Sequence, residues 1–139
     1  MAVTPWEVSG SMDYGKLIKE FGINPMGKLP GIFNENILFR RKIVFAHRDF
    51  EKILDAIKNR KPFVMMTGLM PSGEFHLGHM LLALQMVFYQ KLGARVYIAI
   101  ADLEAYNSRQ KNLVELRKIA ADQYLLNYAA LGLDLNKCD

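Results

Sequence analysis

Phe63-Val-Met-Met-Thr-Gly-Leu-Met-Pro-Ser-Gly-Glu-Phe-His-Leu-Gly-His79 passes from a short apolar run through a loop of glycine and proline toward a helix. Its first five residues, closed by Gly68, have the length and composition of a strand buried on both faces. Residues 79–92, dense in Met, Leu, Ala and Phe and followed by Gly93, are long enough for a helix. Arg95 to Ala101, carrying Val, Tyr and Ile, reads as a second buried strand. Strand, loop, helix and strand in this order form a βαβ unit, whose strands are expected to be parallel with a right-handed crossover. The fold class is therefore α/β, an open parallel sheet with helical crossovers.

Outward from this unit the pattern weakens. Tyr14, Leu17, Ile18 and Phe21 recur at helical spacing, with Asp13 to cap the start and Gly22 to end the helix. Residues 22–36, with Asn24-Pro25 and Pro30-Gly31, read as a loop, and Arg40-Arg41-Lys42 precedes a short apolar run, Ile43 to Ala46. A second helix is marked by Asp49 and by Phe50, Ile53, Leu54 and Ile57, and it stops before Pro62. A last helix is expected over 113–131, where Leu113, Leu116, Ala120, Tyr124, Asn127 and Leu131 share one face, Asn112 and Glu115 resemble a capping box, and Gly132 closes the run. The chain accordingly divides into residues 1–61, an extension of an arm and two helices, and residues 62–139, the first part of the sheet domain. Two parallel strands make a poor sheet, so the chain reads as the front part of a longer domain.

Composition narrows the function classes. With 51% hydrophobic and 23% charged residues the chain is not a disordered polymer. The longest stretch free of charge, Phe75 to Gln90, includes two His and two Gln and is too short and polar to span a membrane. Met1-Ala-Val-Thr-Pro-Trp-Glu7 lacks the basic and apolar regions of a signal peptide. The lone Cys138 excludes an internal disulfide and a multi-cysteine zinc site, so a cytoplasmic protein is expected. Charge is uneven: residues 1–61 hold 11 Lys and Arg against 7 Asp and Glu, while residues 62–139 hold 7 against 7. Such an excess suits a polyanionic partner without requiring one.

The segment Thr67 to His79 lies between the end of a parallel strand and the start of a helix, which is where open α/β sheets bind ligands. Gly68, Gly73 and Gly78 leave room for a ligand to approach the backbone, Pro71 restricts the loop, and a helix N-terminus favours phosphate. His76 and His79 offer ring N–H groups to phosphate or ribose oxygens. From residue types alone two other readings stay open: metal ligation, disfavoured because Glu74 is the one further ligand nearby, and a turn in which backbone groups satisfy both rings. Neither common glycine-rich nucleotide fingerprint is present. Asp102-Leu-Glu-Ala-Tyr106 follows the second strand, and a carboxylate there suits a ligand ammonium as well as it suits a helix cap.

Pro71-Ser-Gly-Glu-Phe-His-Leu-Gly-His79 resembles the His-x-Gly-His signature of class I aminoacyl-tRNA synthetases. Val3-Thr-Pro-Trp-Glu-Val8, Asp13-Tyr-Gly-Lys-Leu-Ile18, Arg40-Arg41 and His47-Arg48-Asp49 are similar to the N-terminal part of archaeal and eukaryotic tryptophanyl-tRNA synthetases. The resemblance implies a Rossmann-like class I catalytic domain, ATP-dependent activation of tryptophan to its adenylate with release of pyrophosphate, and transfer to tRNA(Trp). It further implies Mg2+ accompanying ATP with no protein-bound metal, a cytoplasmic homodimer, and no membrane. By the same resemblance His76 and His79 are catalytic, and Thr67, Gly68, Pro71, Ser72, His76, Gly78 and His79 bind ATP. Glu104 matches the acid that receives the amino acid's ammonium, and the Pro5-Trp6 arm matches a segment that folds over the ATP site. Where eukaryotic members place Tyr and Gln against the indole, this chain has Met66 and Ala99, so its amino-acid pocket is expected to use those residues with Glu104. No Lys-Met-Ser-Lys-Ser-like segment occurs in the 139 residues, in keeping with an N-terminal portion. The tyrosyl branch, which shares Ala-Asp-Leu-x-Ala-Tyr, and a noncatalytic nucleotide- or RNA-binding module are the alternatives.

Overall fold

A computed structural model describes residues 2–3, 8–9, 13–109 and 112–139, and the expectation for Pro5-Trp6 lies outside them. The chain divides into two units, residues 1–50 and 51–139.

In the first unit, β1 (Ala2–Val3) pairs antiparallel with β2 (Val8–Ser9). Helix α1 (Tyr14–Phe21) forms as its periodicity requires: the Asp13 carboxylate accepts the Lys16 N–H, and Gly22 turns left-handed at φ 56° to end it. β3 (Asn24–Pro25) and β4 (Ala46–His47) pair antiparallel, closing the segment between them. That segment is not all loop. A 3-10 turn over Gly31–Glu35 leads to α2 (Ile37–Arg40), where the Asn36 side chain accepts the Leu38 N–H at 2.9 Å. Four residues are too few for a periodic signal, so the sequence shows this helix only through its cap. Phe33, fully buried, meets Phe39 and Phe50 edge-on at 5.0 and 5.7 Å between ring centroids and centres this unit's core.

Helix α3 (Phe50–Lys58) begins at the division between the units and ends before Pro62, as expected. In the second unit β5 (Val64–Leu69) and β6 (Arg95–Ile100) are parallel, with Gly68 opposite Ala99, and α4 (Leu77–Lys91) is the crossover. Ala83, Met86 and Val87 of α4 are buried, and the helix packs across both strands. Among the described residues only that side of the sheet is covered. Burial alternates along both strands, and Met66 is 69% exposed. The reading of two strands buried on both faces is thus corrected: a continuous apolar run does not reveal whether a second layer is present in the chain. On the far edge of β6, Asp139 N–H donates to Val96 O at 3.0 Å and Ile98 N–H to Asp139 O at 2.9 Å, an isolated parallel bridge beside the sheet.

Asp102 to Arg109 form a helix, α5, that periodicity did not show because its apolar positions make no stripe. The last helical segment comprises α6 (Leu113–Ile119), a π-turn over Ala120–Leu125 and α7 (Leu126–Ala130). Its buried stripe is Leu116, Ala120, Tyr124 and Tyr128, with Asn127 and Leu131 only partly buried, so the face expected from sequence is corrected past Tyr124. Steps of four residues outrun a 3.6-residue turn, and the i→i+5 turn absorbs the drift that would rotate Tyr128 out of the core. Among the described residues no helix is long and apolar enough to cross a membrane.

Candidate functional site

The loop from Met70 to His76 carries the chain from the end of β5 to the start of α4, with Pro71 fully buried and Ser72 N–H donating to Met70 O at 2.8 Å. At the helix start the two histidines cap the backbone reciprocally. Nδ1 of His76 accepts the Gly78 N–H at 3.2 Å, and Nδ1 of His79 accepts the His76 N–H at 3.3 Å. A ring nitrogen that accepts is unprotonated, so each neutral ring carries its proton on Nε2. The rings stack at 3.8 Å and 20°. The glycine between them sets a close fit: a Cβ on Gly78 would lie 3.1 Å from Cε1 and 3.2 Å from Nδ1 of His76, so that ring would have to shift to make room.

The pair therefore presents two Nε2–H donors beside the N-terminus of a 15-residue helix, whose free N–H groups and dipole favour an anion. Burial, and secondarily the neighbouring His76, hold the His79 pKa below the ordinary histidine value of 6.5. Both causes keep the second ring a neutral donor near neutral pH. No group of three metal-ligating side chains occurs among the described residues, and each Nδ1 is already committed to backbone.

Tyr124, unassigned from sequence beyond its place on the core face, anchors this loop. Its hydroxyl donates to Gly73 O at 3.1 Å, and its ring meets His79 edge-on at 5.0 Å and Phe75 at 5.8 Å. It sits inside the π-turn. The available sequence signal was the four-residue spacing of buried positions through Tyr128, which a regular helix cannot maintain.

The remaining expected site residues fall on two surfaces. Met66, Gly68 and Ala99 share the open face of the sheet, and the space above Gly68 is bounded only by Ala99 at 3.8 Å. Thr67 projects to the opposite, helix-covered side and is half-buried. Glu104 and Tyr106 are exposed on α5, which starts where β6 ends. Asp102, the third polar residue of that run, is already engaged: its carboxylate takes the Arg117 Nε at 2.8 Å, and that bond holds its pKa below the usual carboxylate value. It ties α5 to α6, which leaves Glu104 as the exposed carboxylate of the run.

Comparison with known proteins places this geometry in context. A family model described as tRNA synthetases class I (W and Y) matches residues 58–139. The tryptophan–tRNA ligase of Methanocaldococcus jannaschii is 44% identical over 138 residues, which cover 99% of this chain and 37% of that protein. The crystal structure of tryptophanyl-tRNA synthetase from Aeropyrum pernix K1 superposes with a TM-score of 0.81 at 40% identity, over 91% of this chain and 36% of the other. The tryptophanyl-tRNA synthetase of Encephalitozoon cuniculi, solved bound to tryptophan, superposes with a TM-score of 0.78 at 31% identity, over 90% of this chain and 39% of the other. The chain thus spans little more than a third of the length of these relatives.

Proposed function

This chain belongs to the class I tRNA synthetases of the W and Y family, and from that premise we propose that the protein acts as a tryptophan–tRNA ligase. In the proposed reaction the carboxylate of tryptophan attacks the α-phosphate of ATP, forming an O–P bond as the bond to pyrophosphate breaks; a hydroxyl of tRNA(Trp) then takes the aminoacyl group from the adenylate, giving up its proton as AMP leaves. Mg2+ enters with ATP as part of that substrate.

The observation that carries this reading is the stacked histidine pair on the N-terminus of α4. Nε2–H of His76 and of His79 donate to phosphate oxygens, and they gain strength as charge builds on the leaving pyrophosphate. Gly78, Gly68, Pro71 and Ser72 shape the backbone around the nucleotide, and Thr67 supports β5 from its covered side. Glu104 receives the ammonium of the amino acid. Met66 and Ala99, on the open face, line the indole pocket with a thioether and a methyl group where a hydrogen-bonding pair is absent.

The test is amino-acid-dependent ATP–pyrophosphate exchange by the protein as the cell makes it. Tryptophan is expected to drive exchange and tyrosine is not; exchange with tyrosine alone would move the assignment to the sister branch. Glu104→Gln should raise the KM for tryptophan well beyond that for ATP, and equal losses for both would remove Glu104 from its role. Residues 62–139 are read as the opening part of the catalytic domain and 1–61 as an extension to it. A cytoplasmic homodimer is part of the proposal, and light scattering with cell fractionation tests it.

A further inference from the structure

The excess positive charge of the chain lies in one segment that the synthetase reading does not use. Residues 22–48 carry Lys28, Arg40, Arg41, Lys42 and Arg48 against Glu35 alone. Arg48 donates to Phe21 O at 2.8 Å. The other four cations are exposed, and none forms an ion pair among the described residues. Lys28, Arg40 and Lys42 line a cavity of about 520 Å³ whose inner wall includes the buried Phe39 and the half-buried Val44 and Phe45, and among the described residues no carboxylate lines it. A second cavity adjoins it, sharing Lys42 and Phe45 and adding Arg41 and Tyr14. Tyr14 meets Phe45 edge-on at 4.6 Å, so the ring that borders both cavities is paired with one that borders the second.

Cations without acidic neighbours select an anion, and aromatic walls at the same place select a flat ring. About 520 Å³ is far more than a bare phosphate fills and falls in the range of small-ligand sites. Two such cavities sharing a cation and an aromatic ring repeat the same chemistry along one surface, which a strand occupies and a free nucleotide does not. We propose that this surface of the 1–50 unit binds a single-stranded RNA, placing successive unpaired bases against Phe45 and Tyr14 and their phosphates at Lys28, Arg40, Arg41 and Lys42. The site rests on that unit alone. A chain that failed to bind ATP would defeat the reading of the previous subsection and leave this one standing.

Lys42 makes the proposal testable. It ends α2 in the left-handed region at φ 55°, with its N–H donating to Phe39 O at 2.9 Å and the next N–H, from Ile43, to Leu38 O at 2.8 Å. Glycine is the low-cost residue for such a turn. Lys42→Gly therefore removes a cation and relieves the backbone at once, so binding and stability should move in opposite directions.

The experiment is fluorescence anisotropy of an end-labelled hexauridylate on the full 139-residue chain, titrated with salt. The wild type should bind with a log–log salt slope near −2 to −3, about 0.7 for each of three or four phosphates. Lys42→Gly should weaken binding about tenfold, reduce the slope by about 0.7 and raise the melting temperature. Lys42→Gln, which leaves the backbone as it is, reads the charge alone and should weaken binding to a similar degree. Lys91→Gln, an equal loss of charge at the end of α4, should leave binding unchanged. Uridine monophosphate should compete at least tenfold more weakly than the hexamer on a phosphate-matched basis. Equal losses from the Lys42 and Lys91 variants would reduce the surface to general charge and overturn the proposal. Equal affinity for the monophosphate would overturn its assignment to a strand.

Discussion

The hydroxyl of Tyr124 donates to the carbonyl of Gly73 at 3.1 Å, across 51 residues of sequence, and the same ring lies edge-on to His79 at 5.0 Å. One buried side chain on the last helical segment thus holds both the loop and the second histidine of the cap. Tyr124→Phe keeps the ring and removes the bond. Stability should fall by about 1 kcal/mol, and urea unfolding of the chain measures it. In the protein as the cell makes it, the same change should lower kcat for pyrophosphate exchange more than it raises KM for ATP, because the loop geometry matters most as the phosphates reorganise. A change in KM alone would make Tyr124 a stability residue only.

The second prediction concerns Gly78. Its Cα faces the His76 ring so closely that a methyl group would lie 3.1 Å from Cε1. The ring is exposed and can move, so Gly78→Ala should fold normally while displacing His76 from the cap. Exchange activity should then fall on the order of 10²-fold, as for His76→Ala, if each Nε2–H is a preorganised donor. Full activity in Gly78→Ala would show that the cap geometry is not needed.

Much of this arrangement could be read from residues, and the parts that could not share a physical reason. Asp13, Leu17 and Gly22 specify α1 by cap, stripe and left-handed terminator, and all three are local signals. The parallel pairing of β5 and β6 follows from their βαβ spacing. By contrast, the openness of one sheet face depends on which layers the chain supplies, and Val64 and Met66 look the same in sequence whether covered or not. The histidines were legible as donors, yet the nitrogen each uses was not, because that is settled by the reciprocal backbone bonds at 3.2 and 3.3 Å. Tyr124 was legible only as core, since its partner Gly73 is 51 residues away.

The third prediction follows from the lowered pKa of His79, caused first by burial and then by His76. Because the folded value lies below the ordinary 6.5, the unfolded chain takes up its proton first as pH falls. The contribution to stability is therefore complete above pH 6.5 and is lost as pH drops from there through the folded value. Proton NMR of the imidazole Cε1–H should place the His79 midpoint below 6.5, and His76→Ala should raise it by removing the like charge. A midpoint at or above 6.5 would contradict the neutral donor assigned to this ring.

The last prediction separates two tyrosines four residues apart. Among the described residues the Tyr128 hydroxyl is the buried side-chain oxygen without a hydrogen-bond partner, and burial pushes its pKa up to about 12. An unmet buried hydroxyl costs about 1–3 kcal/mol, whereas a methine in its place costs nothing of that kind. The ring itself is well used, with Phe75 edge-on at 6.0 Å. Tyr128→Phe should accordingly be neutral or stabilise the chain by up to about 1 kcal/mol, opposite in sign to Tyr124→Phe. Urea unfolding of both variants in parallel measures the contrast. A loss of more than about 1 kcal/mol at Tyr128 would mean that its oxygen has a partner after all, through a bound water or a shifted neighbour, and that the two hydroxyls are equivalent.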